Sequence, residues 1–433
     1  MNLRLTLRIQ GGLLLFLAVM LLVPLPFSFW FRDGAWPWFV LSAVLSAAIG
    51  LLFLLIFPTR EELTIREGFG VVTFAWILFA AFGALPFLFT GAIESPIQAY
   101  FESMSGFTTT GSTVITDLDV VGESVLLWRS LTQWLGGMGI IVLSLAILPI
   151  LGVGGMQLFE AEVPGPTADR LRPRIQDTAK LLWGVYFLIT AAEVVALMLG
   201  GVNFFEAVCH AFTTMATGGF STRNGSVGEL GGSYVHVVVT FFMFLAGVNF
   251  SLHFQALRGK VGSYFRSEEF RFYLGVLAAS VLLLFLFNRR VYQDPLTNLR
   301  DSAFQVVSLM TTTGYGTADY ELWSVLAQYI LVGLMFVGGC AGSTGGGMKN
   351  VRVLLLAKHS FLQLSRLIHP RRIRLLKIDE KAVSGEVIQS ILGFFALYIG
   401  IFVFASLGMA ALGLDLVTAG ASVIACLSNI GPG

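Results

Sequence analysis

The chain has 433 residues, of which 56% are hydrophobic and only 12% are charged, against about 25% charged residues in an ordinary soluble protein. Its 27 basic and 26 acidic side chains nearly cancel, so no overall positive field favours nucleic acid as a partner. These figures exclude a soluble enzyme, a disordered chain and a small secreted domain, and they indicate a polytopic membrane protein.

Apolar runs long enough to span a bilayer recur along the whole chain. A spanning helix needs about 20 mostly apolar residues. The first run is too long for a signal peptide and lacks a small-residue cleavage site, so we interpret it as a retained helix. The candidate spans are 9–31, 36–57, 68–90, 124–150, 179–200, 234–256, 270–288, 322–341 and 386–412.

The distribution of basic side chains predicts which ends face the cytoplasm. With the N-terminus in the cytoplasm, 21 of the 27 Lys and Arg residues fall in cytoplasmic segments, as the positive-inside rule requires. Acidic side chains in short loops of the opposite face would concentrate cations at an outer mouth. These residues are Asp117, Asp119, Glu123, Asp319 and Glu321.

Four shorter apolar segments, too brief to cross the membrane, lie between pairs of long helices. They are Pro96–Phe107, Phe204–Met215, Ser302–Met310 and Leu416–Leu427. Each leads into a small polar run that contains a glycine, and these runs are loop 1 (108–112), loop 2 (216–220), loop 3 (311–315) and loop 4 (428–432). Successive reference glycines are 108, 95 and 117 residues apart. The spacing predicts a unit of spanning helix, half-helix, loop and spanning helix that is repeated four times.

The predicted architecture is an all-α polytopic membrane protein. Four pseudo-symmetric helix–pore-loop–helix repeats surround one pore, and two extra transmembrane helices precede them. We assign residues 1–60 to the two-helix extension, 61–177 to repeat 1, 178–266 to repeat 2, 267–384 to repeat 3 and 385–433 to repeat 4, whose last helix is absent.

Loops at membrane depth indicate a cation pathway. Non-helical backbone is tolerated there only where it is buried in protein or lines a cavity, and carbonyl oxygens around one axis would replace the water shell of a cation. Glycine permits the required dihedral angles, and each half-helix directs the negative end of its dipole at the centre. The four loops contain no carboxylate, so binding would depend on dipoles.

Loop 3 is the most similar to the Thr-Val-Gly-Tyr-Gly filter of potassium channels, through Thr313-Gly314-Tyr315 and the following Gly316. The other three loops share only the single glycine. We therefore expect looser discrimination between K+ and Na+ than in a full four-fold channel.

The chain resembles the Trk/Ktr superfamily of potassium-translocating subunits, and most closely its TrkH branch, over nearly its whole length. The resemblance depends on Phe-Thr-Thr-Thr-Gly at 107–111, Ala-Thr-Gly-Gly-Phe at 216–220, Trp-Leu-Gly-Gly-Met-Gly at 134–139 and the glycine-rich stretch 338–349. It implies K+ uptake through a single-chain pore in the bacterial inner membrane, with K+ ions in the filter and no organic cofactor. It also implies the partners of the chain: a second copy in a homodimer, membrane lipids, and a cytosolic nucleotide-binding regulatory ring of the RCK/TrkA-like kind.

The same resemblance implies that Gly111, Gly219, Gly314 and Gly431 are the filter glycines. The other residues expected to hold K+ are Thr109, Thr110, Thr217, Gly218, Thr312, Thr313, Asn429 and Ile430. The family continues into a last spanning helix, whereas this sequence stops at Gly433, so we expect a fragment or a truncated product.

A glycine-rich loop, Gly338–Gly347, interrupts a predicted span. Glycine at this density breaks a helix, so we interpret the loop as a gate below the filter, formed by Gly342, Gly345, Gly346 and Gly347. The alternative is close helix packing through small residues. A phosphate-binding loop is excluded, because no glycine is followed directly by Lys-Ser or Lys-Thr.

Charged side chains within the spans are costly and are expected to face protein. We expect Arg129 and Glu193 to form structural ion pairs, either with each other or with Glu102 or Glu206.

His210 lies nine residues before its loop glycine, where repeat 1 has Glu102 and repeat 3 has Gln305. Hydrogen bonds that support the half-helix explain this position better than metal binding does. The basic run Arg366 to Lys381 either anchors the protein to lipid or docks the regulatory ring.

The favoured function is K+ uptake through a carbonyl-lined filter, with the glycine-rich loop and a cytosolic subunit as gates. A K+/H+ or K+/Na+ symporter is the alternative, and it would need a titratable acid in the path, which the loops do not offer. The chain is not predicted to be an enzyme, because it lacks a nucleophile–base or metal-ligand constellation.

Overall fold

The structure is a computed structural model, and it describes residues 2–58, 65–147, 171–369 and 375–432. The helices of the extension and repeat 1 are Leu3–Met20, Leu25–Phe31, Trp36–Ile56, Ile65–Gly83, Leu85–Phe89, Pro96–Phe107 and Glu123–Ile147. Those of repeat 2 are Leu171–Leu199, Phe204–Met215, Ser233–Ala246, Phe250–Leu257 and Ser263–Arg266. Those of repeats 3 and 4 are Glu268–Phe287, Pro295–Met310, Val325–Val337, Asn350–Ile368, Gly385–Ala411 and Leu416–Leu427.

The helices confirm an all-α polytopic fold. Six of the described helical segments are long and apolar enough to cross a membrane, namely Leu3–Phe31, Trp36–Ile56, Glu67–Phe89, Thr178–Leu199, Glu268–Arg290 and Gly385–Ala411. Many large apolar side chains on these segments are exposed, including Phe404 at 80% and Leu407 at 64%. Exposed apolar surface on this scale is expected where a helix faces lipid.

Two of the predicted spans, 234–256 and 322–341, differ from a single straight spanning helix. The 234–256 span bends by 101° between Ser233–Ala246 and Phe250–Leu257, because Gly247 ends the first helix and the Asn249 side chain caps the second through Ser251 N, at 2.8 Å. The 322–341 span is a helix of only 13 residues, Val325–Val337, and the glycine-rich loop follows it directly.

The two long helices of the extension pack on each other through small residues. The helices Leu3–Met20 and Trp36–Ile56 cross where Gly11 faces Gly50, and a Cβ built on Gly11 would lie 2.7 Å from the Gly50 carbonyl oxygen. One apolar core joins the extension to repeat 1, and a second joins repeats 2, 3 and 4. A two-stranded hairpin, Lys377–Ile378 with Lys381–Ala382, is the sheet found in the described residues.

Candidate ion pathway

The four half-helices begin with clear N-terminal signals. Pro96 and Pro295 occupy the first helical turn, where the missing N–H costs nothing. Asn203, Asp294 and Asp415 cap the second, third and fourth starts by accepting hydrogen bonds from backbone N–H groups. The hydroxyl of Thr297 also donates to Asp294 and holds the pKa of that carboxyl below its usual value.

The observed bounds of the half-helices agree with the predicted bounds except in repeat 3. The first, second and fourth half-helices have the predicted bounds. The third begins at Pro295 instead of Ser302, because the polar stretch 296–301 hides the Pro295 start from a search for apolar runs.

All four loops share one backbone conformation. The residue after each helix cap is left-handed although it is not glycine: Thr109 at φ 56°, Thr217 at 53°, Thr312 at 62° and Asn429 at 58°. Two residues later the glycine has a positive φ again, with 85° at Gly111, 75° at Gly219, 81° at Gly314 and 97° at Gly431. A left-handed β-branched residue is a steric outlier, and such strain clusters at functional sites.

Hydrogen bonds of the same kind fix each loop to its half-helix. The residue before each glycine donates its N–H to the carbonyl five residues earlier, at 2.8–2.9 Å, in the pairs Thr110–Ser105, Gly218–Thr213, Thr313–Ser308 and Ile430–Ala425. This bond, together with the left-handed residue, is the Schellman ending of a helix.

The four glycines lie in a closed ring. Each is so close to the next loop that an added Cβ would meet the carbonyl oxygen of the residue before that loop's glycine. The contacts, glycine first, are Gly111 with Gly218, Gly219 with Thr313, Gly314 with Ile430 and Gly431 with Thr110. Loops 1, 2, 3 and 4 therefore follow one another around a single axis, and the fourth returns to the first.

Side chains reinforce the junction where the ring closes. The Asn429 amide donates to the Thr108 carbonyl at 3.1 Å and to the Thr110 hydroxyl at 2.8 Å. In return, the Ser112 hydroxyl donates to the Gly431 carbonyl at 3.0 Å. These bonds join loops 4 and 1 although more than 300 residues separate them in the chain.

Loop 3 is held from behind by its tyrosine. The buried Tyr315 hydroxyl contacts the Thr213 hydroxyl and donates to the His210 carbonyl at 3.2 Å. The Ser308 hydroxyl donates to the Tyr315 carbonyl at 2.7 Å. Loop 3 is thereby tied both to its own half-helix and to that of repeat 2.

The position nine residues before each glycine supports the loop in three repeats. Glu102 accepts from Thr113 Oγ1 and Val114 N, both at 2.9 Å, and Gln305 donates to the Ala318 carbonyl at 3.1 Å. His210 contacts the Glu206 carbonyl at 2.8 Å and Ser221 Oγ at 3.1 Å. His210 thus makes the predicted supporting bonds, and no group of three metal-ligating side chains occurs in the part of the chain that the structure describes.

Arg129 pairs with Glu102 and not with Glu193. Its Nε lies 2.6 Å from Glu102 Oε1, and both side chains are buried. Its Nη1 donates to the Ser221 carbonyl at 2.9 Å, and its guanidinium stacks 3.5 Å from the centre of the Phe220 ring. This ion pair therefore connects the half-helix of repeat 1 with the end of loop 2.

Replacing Glu102 by Gln is expected to lower the free energy of unfolding by about 3–5 kcal/mol, because it leaves a buried guanidinium without its countercharge. The control is Glu268→Gln: Glu268 pairs at 2.5 Å with Lys358, and the side chains of Lys358 and Glu268 are 32% and 30% exposed, so about 1 kcal/mol or less is expected. Denaturant unfolding in detergent measures both. Equal losses would contradict a structural role specific to the buried pair.

The glycine-rich loop lies against the C-terminal ends of three half-helices. Gly346 N donates to Thr312 Oγ1 at 2.6 Å, and Gly347 N donates to the Ser428 carbonyl at 3.1 Å. The Thr344 hydroxyl donates to the Met215 carbonyl at 3.0 Å. The loop therefore occupies the side of the ring on which the half-helices end.

A buried glutamate and a partly buried lysine hold the base of the glycine-rich loop, and the sequence pattern did not point to them. The Glu269 carboxylate accepts from Ala341 N at 2.6 Å and Val351 N at 3.1 Å, on either side of the loop. The Lys349 ammonium donates to the Ser343 carbonyl at 3.1 Å. A glutamate in the first turn of an otherwise apolar span was the available signal.

Acidic side chains near the outer loops are partly engaged with neighbours. The Asn224 amide donates to Asp117 at 3.1 Å and to Asp119 at 3.3 Å. A hydrogen bond to Glu206 raises the pKa of the exposed Arg223.

Part of the basic run from Arg366 to Lys381, residues 370–374, lies outside the described residues.

Sequence comparisons identify related transport proteins. A family profile named TrkH and described as a cation transport protein matches residues 39–433. The "Trk system potassium uptake protein TrkH" of Salmonella typhimurium is 42% identical over 444 residues, which covers 100% of this chain and 91% of that protein. The "Trk system potassium uptake protein TrkG" of Escherichia coli K12 is 37% identical over 379 residues, covering 86% of this chain and 78% of that protein.

A solved structure has the same fold. The crystal structure of the potassium transporter TrkH from Vibrio parahaemolyticus matches with a TM-score of 0.93 and 37% sequence identity. The match covers 100% of this chain and 91% of that chain.

Proposed function

Because the chain belongs to the TrkH family of cation transport proteins, we propose that it forms the ion-conducting subunit of a bacterial potassium-uptake system. K+ crosses the membrane at the ring of Gly111, Gly219, Gly314 and Gly431, where backbone oxygens of the four loops replace its water. The observation that carries this proposal is the closed ring itself, with one backbone conformation repeated in all four loops.

The electrostatics of the ring suit a cation. Four half-helices end directly at the ring, so four negative dipole ends converge there. The loops contribute neutral hydroxyls, amides and carbonyls and no carboxylate. A site built from dipoles binds a monovalent cation weakly enough to release it, which favours conduction over tight binding.

The glycine-rich loop is the gate in this proposal. It occupies the side of the ring where the half-helices end, and three of these ends bond to it. A cytosolic nucleotide-binding ring displaces the loop to open the path, and the homodimer supplies the surface for that ring. The basic segment after Asn350–Ile368 is the docking site that we assign to it.

Reversal potentials distinguish passive conduction from coupled symport. With the protein reconstituted in liposomes, we expect the reversal potential to follow the K+ gradient and to stay unchanged when a proton or Na+ gradient is imposed. A shift with either imposed gradient would favour the symporter instead. Absence of any Rb+ uptake above that of empty liposomes, in the protein and equally in its variant with Gly345→Ala and Gly346→Ala, would overturn the proposed function.

A further inference from the structure

A buried glutamine from repeat 1 binds the backbone of loop 2. Gln133 lies in the helix Glu123–Ile147 and has 0% exposure. Its Nε2 donates to the Gly218 carbonyl at 2.7 Å, and its Oε1 accepts from Phe220 N at 3.1 Å. Both atoms of one side-chain amide thus bond to the loop of a neighbouring repeat.

The two bonds straddle the ring glycine. Gly219, at φ 75°, lies between the carbonyl and the N–H that Gln133 engages. Phe220 N can only donate and the Gly218 carbonyl can only accept, so the orientation of the amide is fixed by its partners. Gln133 therefore fixes the backbone on either side of Gly219.

The Gly218 carbonyl is also part of the ring. Its oxygen is the atom that a Cβ on Gly111 would meet. Space behind it is filled by the glutamine, since a Cβ built on Gly218 would lie 2.7 Å from Gln133 Nε2. Gln133 thus sits directly behind the junction of loops 1 and 2, and it contacts one of the four ring oxygens.

We propose that Gln133 is a positioning residue that determines ion preference by fixing the Gly218 carbonyl in the ring. This inference rests on the proposed function of the ring. A carbonyl ring prefers K+ over Na+ through the spacing and the dipole strength of its oxygens. The Gln133 amide, which donates at 2.7 Å, restrains both the position and the dipole of the Gly218 carbonyl. The carbonyl oxygen therefore does not move inward to coordinate the smaller Na+ ion.

The first test replaces Gln133 by Leu, which keeps the bulk and removes both hydrogen bonds. We expect the ratio of Rb+ to Na+ uptake in liposomes to fall by about threefold to tenfold, the range for losing one hydrogen bond, here the one to the Gly218 ring oxygen. The matched control is Gln10→Leu, since Gln10, in the first helix of the extension, is equally buried and donates to the Val71 carbonyl at 2.6 Å. The control should keep the ratio of the parent.

The second test is Gln133→Glu, which restores the donor only when the new carboxyl is protonated. A protonated carboxyl offers one O–H to the Gly218 carbonyl and one oxygen to Phe220 N, whereas an ionised one has no donor. We therefore expect the Rb+ to Na+ ratio of this variant to fall as the pH rises, while the ratio of the parent stays constant.

The titratable groups around Gln133 are present both in the parent and in the Gln133→Glu variant. The dependence of the parent's Rb+ to Na+ ratio on pH therefore measures their effect. They are Arg129 on the same helix, paired with Glu102 of the first half-helix, and Glu193, Tyr186, His210 and Cys209 on the helices packed against it.

The outcomes separate this inference from the proposed function. A parent without any preference for Rb+ over Na+ would overturn the proposed function. A selective parent with an equally selective Gln133→Leu variant would overturn the role of Gln133 and leave the proposed function standing. If the Leu variant does not fold, the pH profile of the Glu variant decides, and a profile independent of pH overturns the inference.

Discussion

Replacing Gly314 by Ser is expected to lower the preference of the protein for Rb+ over Na+ by at least about tenfold, which is about 1.4 kcal/mol in relative barrier height. Gly314 has a φ of 81° and lies so close to loop 4 that its new Cβ would overlap the Ile430 carbonyl oxygen and reach within 2.6 Å of Pro432. The Ile430 carbonyl must therefore move out of the ring to make room for the new side chain. Uptake of radioactive Rb+ and Na+ into liposomes measures the change.

The control for backbone strain is Gly201→Ser. Gly201 has a φ of 87°, and a Cβ on it would meet nothing within 4 Å. It shares the left-handed conformation of Gly314 without the contact to another loop. If both variants, or neither, lose the ion preference, the contact across the ring is not what determines it.

Much of the ring was predictable because its determinants are local. Proline in the first turn, Asn or Asp as a cap and a polar glycine run mark the half-helix ends, and three of the four segments were placed at their observed bounds. The third start was missed because Pro295 precedes a polar stretch. The break at Gly247 and Asn249 carried a readable signal, a glycine followed closely by a capping asparagine.

Contacts between repeats were not predictable from a single sequence. Gln133 is 85 residues from Gly218, and Glu269 is 72 residues from Ala341, so no local pattern links them. Each could be noticed only as a polar side chain in an apolar helix, which indicates importance without naming a partner. Arg129 shows the same limit, since the sequence left Glu193, Glu102 and Glu206 as possible partners and the structure pairs it with Glu102.

Replacing Gly345 and Gly346 together by Ala is expected to raise Rb+ flux by about tenfold or more in the absence of a cytosolic partner. A Cβ on Gly346 would overlap the Ser428 carbonyl oxygen, and one on Gly345 would lie 2.8 Å from the Thr311 carbonyl oxygen. Overpacking of this kind costs about 1–3 kcal/mol. It destabilises the closed position of the loop, in which these contacts are made, and not the open one. Neither of these two oxygens is one of the four ring oxygens, so the ratio of Rb+ to Na+ flux should stay that of the parent.

A variant that loosens the glycine-rich loop without crowding it tests the same gate independently. Glu269→Ala removes the acceptor for Ala341 N and Val351 N, on either side of the loop, so we expect flux to rise here as well. Gly333→Ala is the control, because Gly333 lies in the preceding helix with open space around it. If the loop is the gate, both the double alanine variant and Glu269→Ala must raise Rb+ flux, because each of them destabilises the closed position of the loop. If both variants conduct no faster than the Gly333→Ala control, the loop does not limit flux and the closed state must be built elsewhere along the path.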